Sequence, residues 1–523
     1  MSTNKIMVKA AGFMMITTLL ARILGMARDM VLYSWFGQSH ITDAYNAAFS
    51  IPDLIYMLLV GGALSSAFIP VFSSYLARNQ EEEAWKVASI VFNYAMLLML
   101  VLIIAGEIFA RPLMIILVPK LPPEQITLAV TLTRVMLIQT VLMTLSGIAL
   151  GILNSKQHFS SPAIGSILYN VGIIAVGLAL AKEVGIMAFS IGVVVGSVLN
   201  LAVQIPALLK AGMRYYPIFN LRHPGFKQIM FLMLPILIGL SVSQINLFVT
   251  QNLASGLTEG SISALRLAQR LMQMPIGIFG IPIAMAVFPS MNLQIVRNEI
   301  KDFKRTFSLG LRAVFLITIP ASVGLIALRE PIIGLLFQQG KFTADNTVST
   351  GLVLAFYCIG LFAYSALPLL NRVFYSLQDT ITPVVVGAAS VALNIGFAMM
   401  MVGYFEERGL ALAYSVAGVL NILILIGILK LRLGSIDGYK IMRSFIISSG
   451  ASGIMYLIVN FVNIYMTNVL TLAPKLNELI TVVAAIGVGV VVYSIIILIF
   501  RLEEARLVLD LIKKRLPGLS FLG

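Results

Sequence analysis

The chain has 523 residues, of which 59% are hydrophobic and only 11% charged; its mean hydropathy is +0.97 and its formal charge +14. So little charge cannot cover an apolar core of this length, which excludes an ordinary soluble globular protein. Cys358 stands alone, and His40, His158 and His223 are scattered, so neither a disulfide framework nor a Cys/His metal cluster is built, and no metal or cofactor is expected. The positive charge divides among separate loops and apolar runs without a basic-aromatic module, which argues against nucleic acid.

Apolar runs of spanning length recur from end to end, so the fold class is all-α integral membrane. Lys5 and Lys9 precede the first run as in a signal peptide, but Arg22 and Arg28 interrupt it and no A-x-A-like site follows, so a retained first helix is expected. Fourteen spans are predicted, over 6–33, 42–76, 84–108, 126–153, 161–181, 185–210, 228–255, 261–291, 305–328, 346–375, 382–403, 409–431, 441–466 and 478–500. Glu81, Glu82 and Glu83 read as a solvated loop or a helix start. Gly340-Lys341-Phe342-Thr343 suggests a phosphate loop, but the full P-loop pattern is not met; Thr343 instead reads as the cap of span ten, with Asp345 in its first turn. The tail from Arg501 to Leu522 alternates basic and apolar residues and suits a short helix on an anionic leaflet. Most loop Lys and Arg fall on one face, which predicts both termini in the cytoplasm.

The chain also repeats itself. Ser155-Lys-Gln-His-Phe-Ser-Ser-Pro162 lines up with Ser376-Leu-Gln-Asp-Thr-Ile-Thr-Pro383, and Leu199-Asn200 with Leu420-Asn421, about 221 residues on. Pro70 and Pro112 pair with Pro289 and Pro331 at about 219. Six spans fit one period, so the lobes are expected to be parallel, with a central cationic cavity between them. The expected division is 1–220 (N-lobe, spans one to six), 221–436 (C-lobe, spans seven to twelve), 437–502 (spans thirteen and fourteen) and 503–523 (cytoplasmic amphipathic tail). Pro52 in span two, and Pro275 with Gly277 in span eight, mark kinks suited to gating or to passive bending.

Arg22, Arg28, Arg266 and Arg270 lie within these apolar runs. An arginine at a bilayer centre costs about 2.5–3.5 kcal/mol on insertion scales. A wet cavity holding a polyanion accounts for that cost, because guanidinium binds phosphate through two parallel hydrogen bonds and keeps its charge. Arg266 and Arg270 share a face with Gln269 and Gln273 beside it. The plainer alternative is that the arginines reach for interfaces or pair with Asp29, Asp43 or Asp53.

At these residues the chain resembles the MurJ (MviN) lipid II flippases. The resemblance rests on Ala21-Arg22-Ile23-Leu24-Gly25-Met26-Ala27-Arg28-Asp29, Thr42-Asp43-Ala44-Tyr45, Gly62-Ala63 through Ala67-Phe68-Ile69-Pro70, and Ser243-Gln244-Ile245-Asn246. It continues through Arg270-Leu271-Met272 with Pro275 and through Gly340-Lys341-Phe342-Thr343. What it implies is a flippase of the multidrug/oligosaccharidyl-lipid/polysaccharide exporter superfamily in the bacterial inner membrane. The substrate implied is lipid II, undecaprenyl-pyrophosphate-linked MurNAc-pentapeptide-GlcNAc, moved outward by alternating access for peptidoglycan synthesis. Membrane lipids and the cell-wall synthesis machinery are the other implied partners, and spans thirteen and fourteen would hold the lipid tail. Arg22, Arg28, Asp43 and Arg270 fall on positions the family uses for transport. There are departures. A family arginine falls on Tyr56, acidic positions fall on Gly61 and Gln273, and Arg266 is an added cation. Carboxylates of a sodium site known in some members fall on Thr250 and Ala398 beside Asn394, so transport is expected to draw on membrane potential instead. The rival readings are a flippase for another lipid-linked oligosaccharide, a multidrug antiporter of the same superfamily, and a membrane enzyme acting on polyprenyl phosphates. The antiporter would favour a carboxylate- and aromatic-lined cavity, and the enzyme would need a reactive His or carboxylate cluster.

Overall fold

A computed structural model describes residues 3–59, 65–469 and 473–505. Among them all regular structure is helical: α1 (Thr3–Phe36), α2 (His40–Ala48), α3 (Ser50–Leu59), α4 (Ser65–Ala77), α5 (Glu81–Leu117), α6 (Pro123–Ser155), α7 (Ser160–Val184), α8 (Met187–Lys210) and α9 (Pro224–Ala254). There follow α10 (Ser261–Pro275), a π-helical turn (Ile276–Gly280), α11 (Ile281–Val296), α12 (Ile300–Ala327), α13 (Arg329–Phe337), α14 (Ala344–Ile359), α15 (Leu361–Ser376), α16 (Ile381–Leu433), α17 (Gly438–Val469) and α18 (Pro474–Ile499).

Ten of the described helical stretches are long and apolar enough to cross a bilayer, and an eleventh is the α14–α15 pair, bent by 42°. The α16 stretch is continuous only in name: Glu406 has φ 52° and ψ −134°, which divides it where spans eleven and twelve were expected to meet. With α1 and the broken run α2–α4 as the first two, the layout is compatible with fourteen spans. The chain is therefore a multi-pass membrane protein. Span two is not the single helix that its hydropathy suggests. It breaks at Phe49, just before Pro52. Proline cannot bond back to the Ala48 carbonyl. The Thr133 hydroxyl lies 3.3 Å from that oxygen and 2.7 Å from Ala129 O, so α6 serves the freed acceptor. Gly61, in the next segment, lies outside the described residues.

The internal repeat is written in the backbone as well as in the sequence. Left-handed residues recur in pairs 219 to 223 positions apart: Gly37 with Gly260, Asn79 with Asn298, Gln157 with Gln378, Gly185 with Glu406 and Gly212 with Gly434. A positive φ is costly for most side chains, so its recurrence at matching helix ends marks shared local geometry.

By contacts the described chain forms two compact units, 1–263 with 339–342, and 264–338 with 343–523. In the first, Phe68, Phe72, Trp85, Ile90 and Leu153 are fully buried in a core that α4, α5 and α6 build. Helix α9 packs on α3, α4 and α5, so the seventh span joins this unit. The stretch 339–342 closes against the end of α1. Lys341 N donates to Ser34 O at 2.8 Å, and the Phe342 ring meets Tyr33 edge-on at 6.2 Å. Gly340 has φ 60°, and a Cβ there would sit 2.1 Å from Ser34 O, so this position needs glycine for two reasons. Thr343 caps α14 with Asn346 in a reciprocal capping box, as its place in the sequence suggests. Glu81, Glu82 and Glu83 form the first turn of α5, where they face its positive end and pair with Lys156, Lys86 and His223.

In the second unit, Phe303, Phe307, Leu311, Leu370 and Phe374 are buried among α11, α12, α15 and α16, while a separate apolar cluster joins α12, α17 and α18. Beyond α18 the chain turns at Arg501, φ 49°, and residues 503–505 make one further turn. The expected amphipathic tail begins in that turn. Within it Glu504 is fully buried and bonded to Arg312 of α12 at 2.7 Å and to Ser444 of α17 at 2.5 Å. The rest of the expected tail, 506–523, lies outside the described residues.

The α15–α16 connection is stapled by Asp379, which accepts from the backbone N–H of Ile381 (3.0 Å) and Thr382 (2.9 Å) and from the Thr382 hydroxyl (2.6 Å), and pairs with Arg432. The Thr382 bonds, with help from Arg432, lower its carboxyl from 3.8 to about 2. A lowered carboxylate contributes stability that is complete above its ordinary value and lost as pH falls through its folded one. Asp379→Asn should therefore melt below the native chain near neutrality, with the gap closing between about pH 4 and pH 2; thermal melts of the detergent-solubilised pair across that range check this.

Candidate functional site

Arg22 is exposed on α1, whereas Arg28, one and a half turns on, is half-buried. Its Nε and Nη2 both donate to Asp29 Oδ1, at 3.1 and 2.9 Å, and Asp29 is itself buried. Thus the pairing that competes with substrate binding exists at Arg28. Tyr169 of α7 lies within electrostatic range of Arg28, Asp53 and Tyr56, and its hydroxyl meets Gln139 Oε1 at 3.2 Å. Asp53, Gln139 and Tyr169 thereby join the expected Arg28 and Tyr56 in one polar patch of the first unit. With Asp29 and Asp53 in it, this patch is not the purely cationic one that the arginines alone suggest. Gln139 and Tyr169 were missed because each is a single polar residue in an otherwise apolar run, the weakest of sequence marks.

Asp43 has both carboxylate oxygens bonded within the fold. It is 2% exposed on α2. Its Oδ2 accepts from Gly260 N at 2.8 Å; its Oδ1 accepts from Ser263 N at 2.8 Å and from the Ser263 hydroxyl at 2.7 Å. Those N–H groups begin α10, so Asp43 caps that helix from another part of the chain and places negative charge at its positive end. Around it, Asn46 Nδ2 bonds Ser263 Oγ (3.1 Å) and Tyr33 Oη (2.9 Å), and His40 N bonds Glu259 (3.0 Å). A cap supplied by a residue more than two hundred positions away leaves no local sequence pattern.

Arg266 and Arg270 are half-buried on α10, which starts in the first unit and passes into the second at Ala264. Gln269, on the same helix, hydrogen-bonds Tyr414, which stacks on Tyr364 at 4.2 Å and meets Tyr357 edge-on at 5.4 Å. Below them Pro275 and Gly277 begin the π-turn, in which Ile281 N reaches back to Ile276 O. The added residue brings Gly280 against α15, where a Cβ would lie 2.7 Å from Ser365 O. A π-turn of this kind redirects the helix below it and is frequent at functional sites. At the positions matched to a sodium site, Thr250 bonds Asn246 O of its own helix at 2.9 Å, and Ala398 is buried.

Two features of the second unit were not legible in the sequence. One is Arg312, another arginine in an apolar span, 5% exposed and held by Glu503 (3.1 Å) and Glu504 (2.7 Å). The other is an apolar cavity of about 510 Å³ among α12, α13, α17 and α18, with Phe279 of the π-turn also on its wall. By helical rise its α18 wall, from Ala485 to Leu498, runs about 20 Å.

Broken apolar helices that carry charge inside each unit are the build of a membrane transporter. An inward-facing multidrug resistance MATE family transporter of the MOP superfamily shares the fold, aligning with a TM-score of 0.65 at 15% identity, over 80% of this chain and 96% of that one. A solved lipid II flippase MurJ in an inward closed conformation aligns with a TM-score of 0.79 at 29% identity, over 93% of this chain and 98% of that one. The probable lipid II flippase MurJ of Buchnera aphidicola subsp. Acyrthosiphon pisum is 31% identical over 473 residues, 88% of this chain and 91% of that protein. The lipid II flippase MurJ of Burkholderia cenocepacia is 32% identical over 439 residues, 81% of this chain and 83% of that protein. The family model for lipid II flippase MurJ matches residues 32–480, and the chain belongs to that family.

Asp43→Ala removes the acceptor from two backbone donors and a hydroxyl, each buried. An orphaned buried donor costs about 1–3 kcal/mol. The variant should melt several degrees lower, and Asp43→Asn, which keeps one acceptor oxygen, should recover part of the loss; differential scanning fluorimetry of the three proteins decides it.

Proposed function

We propose that this chain carries lipid II from the inner to the outer leaflet of the bacterial cytoplasmic membrane by alternating access, with both termini in the cytoplasm, and that it moves its substrate chemically unchanged. The observation that carries the reading is membership of the lipid II flippase family across residues 32–480, joined to intramembrane arginines suited to a pyrophosphate. A pyrophosphate-sugar-peptide head cannot cross hydrocarbon alone, since each unpaired polar group costs several kcal/mol there. Arg22, Arg28, Arg266 and Arg270 supply the charge that holds it, with Arg28 exchanging Asp29 for phosphate. Asp43 contributes by fixing the start of the helix that bears Arg266 and Arg270. The apolar cavity among α12, α17 and α18 takes the polyprenyl tail. Pro52 and the Pro275–Gly277 turn are the places where helices bend between states. Membrane potential, at about 2.3 kcal/mol per charge per 100 mV, favours outward movement of the anionic head, and Thr250 and Ala398 offer no carboxylate for a sodium ion. The multidrug antiporter reading is disfavoured by arginines where organic cations would have to bind.

In a strain depleted of its own flippase, Arg270→Ala and Arg28→Ala should fail to support growth while reaching the membrane at near-native levels. Growth of both at the native rate would overturn the phosphate-binding role. The added cation on α10 gives a sharper test. If Arg266 replaces the charge that is missing at Tyr56, Arg266→Leu alone should cut transport about tenfold, a loss near one charge-assisted hydrogen bond. Adding Tyr56→Arg should restore most of it; full activity of the single variant would show that Arg266 serves only locally.

A further inference from the structure

Arg312, Glu504 and Ser444 form a buried ionic knot that the transport reading does not use. Arg312 lies on α12, four residues before Leu316 of the tail cavity's wall. The knot holds one short piece of chain. After α18 the backbone reverses at Arg501, and Leu502 and Ala505 turn inward to join the cluster of Leu316, Met455, Tyr493 and Ile497. Ala505 also lines the cavity, and it belongs to the same apolar cluster as Tyr493 and Ile497 of the α18 wall. At the same level Tyr493 Oη donates to Leu316 O at 2.7 Å, tying α18 to α12.

Burying a carboxylate and a guanidinium adds little net stability, and apolar packing of equal volume often does better. What such a pair supplies is a fixed position for its backbone. Here the fixed element is a turn whose charged face points to Arg312 and whose small apolar face, Ala505, looks into the cavity.

We propose that the turn Leu502–Ala505 is the floor of the tail cavity, a specificity-determining stop that sets how much of a polyprenyl chain enters, and that Arg312 is the positioning residue that holds it. This rests on the cavity's role as the tail site. With a floor in place, affinity rises with prenyl length only until the chain reaches Ala505 and then levels off.

The test uses the full chain in nanodiscs, with lipid II analogues that share one head group and carry short, intermediate or full-length prenyl chains. Ala505→Phe raises the floor. It should weaken binding of the full-length analogue by at least about tenfold, each buried methylene being worth several-fold, and leave the short one within about twofold. Leu502→Ala removes the buried side chain that seats the turn in its apolar cluster and should move the levelling point to a longer chain. Val490→Trp, which intrudes midway along the cavity, controls for occupancy. Equal losses at every length for Ala505→Phe and an unmoved levelling point for Leu502→Ala, with Val490→Trp still selective, would overturn the floor. If Val490→Trp too shows no length dependence, the tail does not use the cavity, and the underlying reading falls with the floor.

Discussion

A guanidinium cannot be left unpaired in hydrocarbon, and much of this structure follows from how that requirement is met. Arg28 is met by Asp29 beside it, Arg312 by Glu503 and Glu504 from beyond the last long helix, and Arg134 on the outer face of α5–α6 by Glu107 at 3.4 Å. In each case the partner comes from a different kind of place: the next residue, the chain terminus, the adjacent helix. The pairs differ in what they can release. The Arg28 side chain keeps 15% exposure against 5% for Arg312, so the Arg28–Asp29 pair is the more accessible of the two. The fully enclosed Arg312–Glu504 pair cannot open without leaving a buried charge, which costs about 3–5 kcal/mol. The Arg312–Glu504 pair is therefore the one suited to holding.

The same division appears among the helix breaks. Phe49, the π-turn at 276–280, Gly360 and Glu406 all interrupt apolar runs, but their freed backbone groups are served differently. At Pro52 a Thr133 hydroxyl from α6 serves the acceptor. At Gly360 the carbonyls of Phe356 and Tyr357 accept from the Ser415 hydroxyl at 2.7 and 3.0 Å. Inside a membrane, where water cannot repair a broken ladder, such hydroxyls are what allow a bend to exist. Their presence beside the bends makes these points where the chain can change direction without losing backbone bonds.

Much of this was readable from the sequence, for reasons of scale. Hydropathy averages over twenty residues, so spans such as 84–108 and 126–153 stand out, and the repeat survives because proline and turn residues recur at fixed distance. The Thr343 cap was legible because a capping residue and its helix are adjacent. What escaped depends on contacts between distant residues. Asp43 looked like a cavity acid, and only the fold shows both its oxygens occupied by the start of α10. Arg312 was passed over because its partners lie about 190 residues on, at the start of what read as an amphipathic tail. The break in span two was marked as a kink at Pro52, though not as the end of one helix and the start of another, and Gln139 and Tyr169 carried no pattern at all.

Family membership makes one claim: the lipid handled is the peptidoglycan precursor and not another polyprenyl-linked glycan. Depleting the protein from its own cells and identifying by mass spectrometry the lipid-linked intermediate that builds up in the inner leaflet tests this most directly. Accumulation of undecaprenyl-pyrophosphate-MurNAc-pentapeptide-GlcNAc, with loss of new cross-linked wall, is the predicted result. Accumulation of a different lipid-linked oligosaccharide, with lipid II at its usual level, would contradict the account.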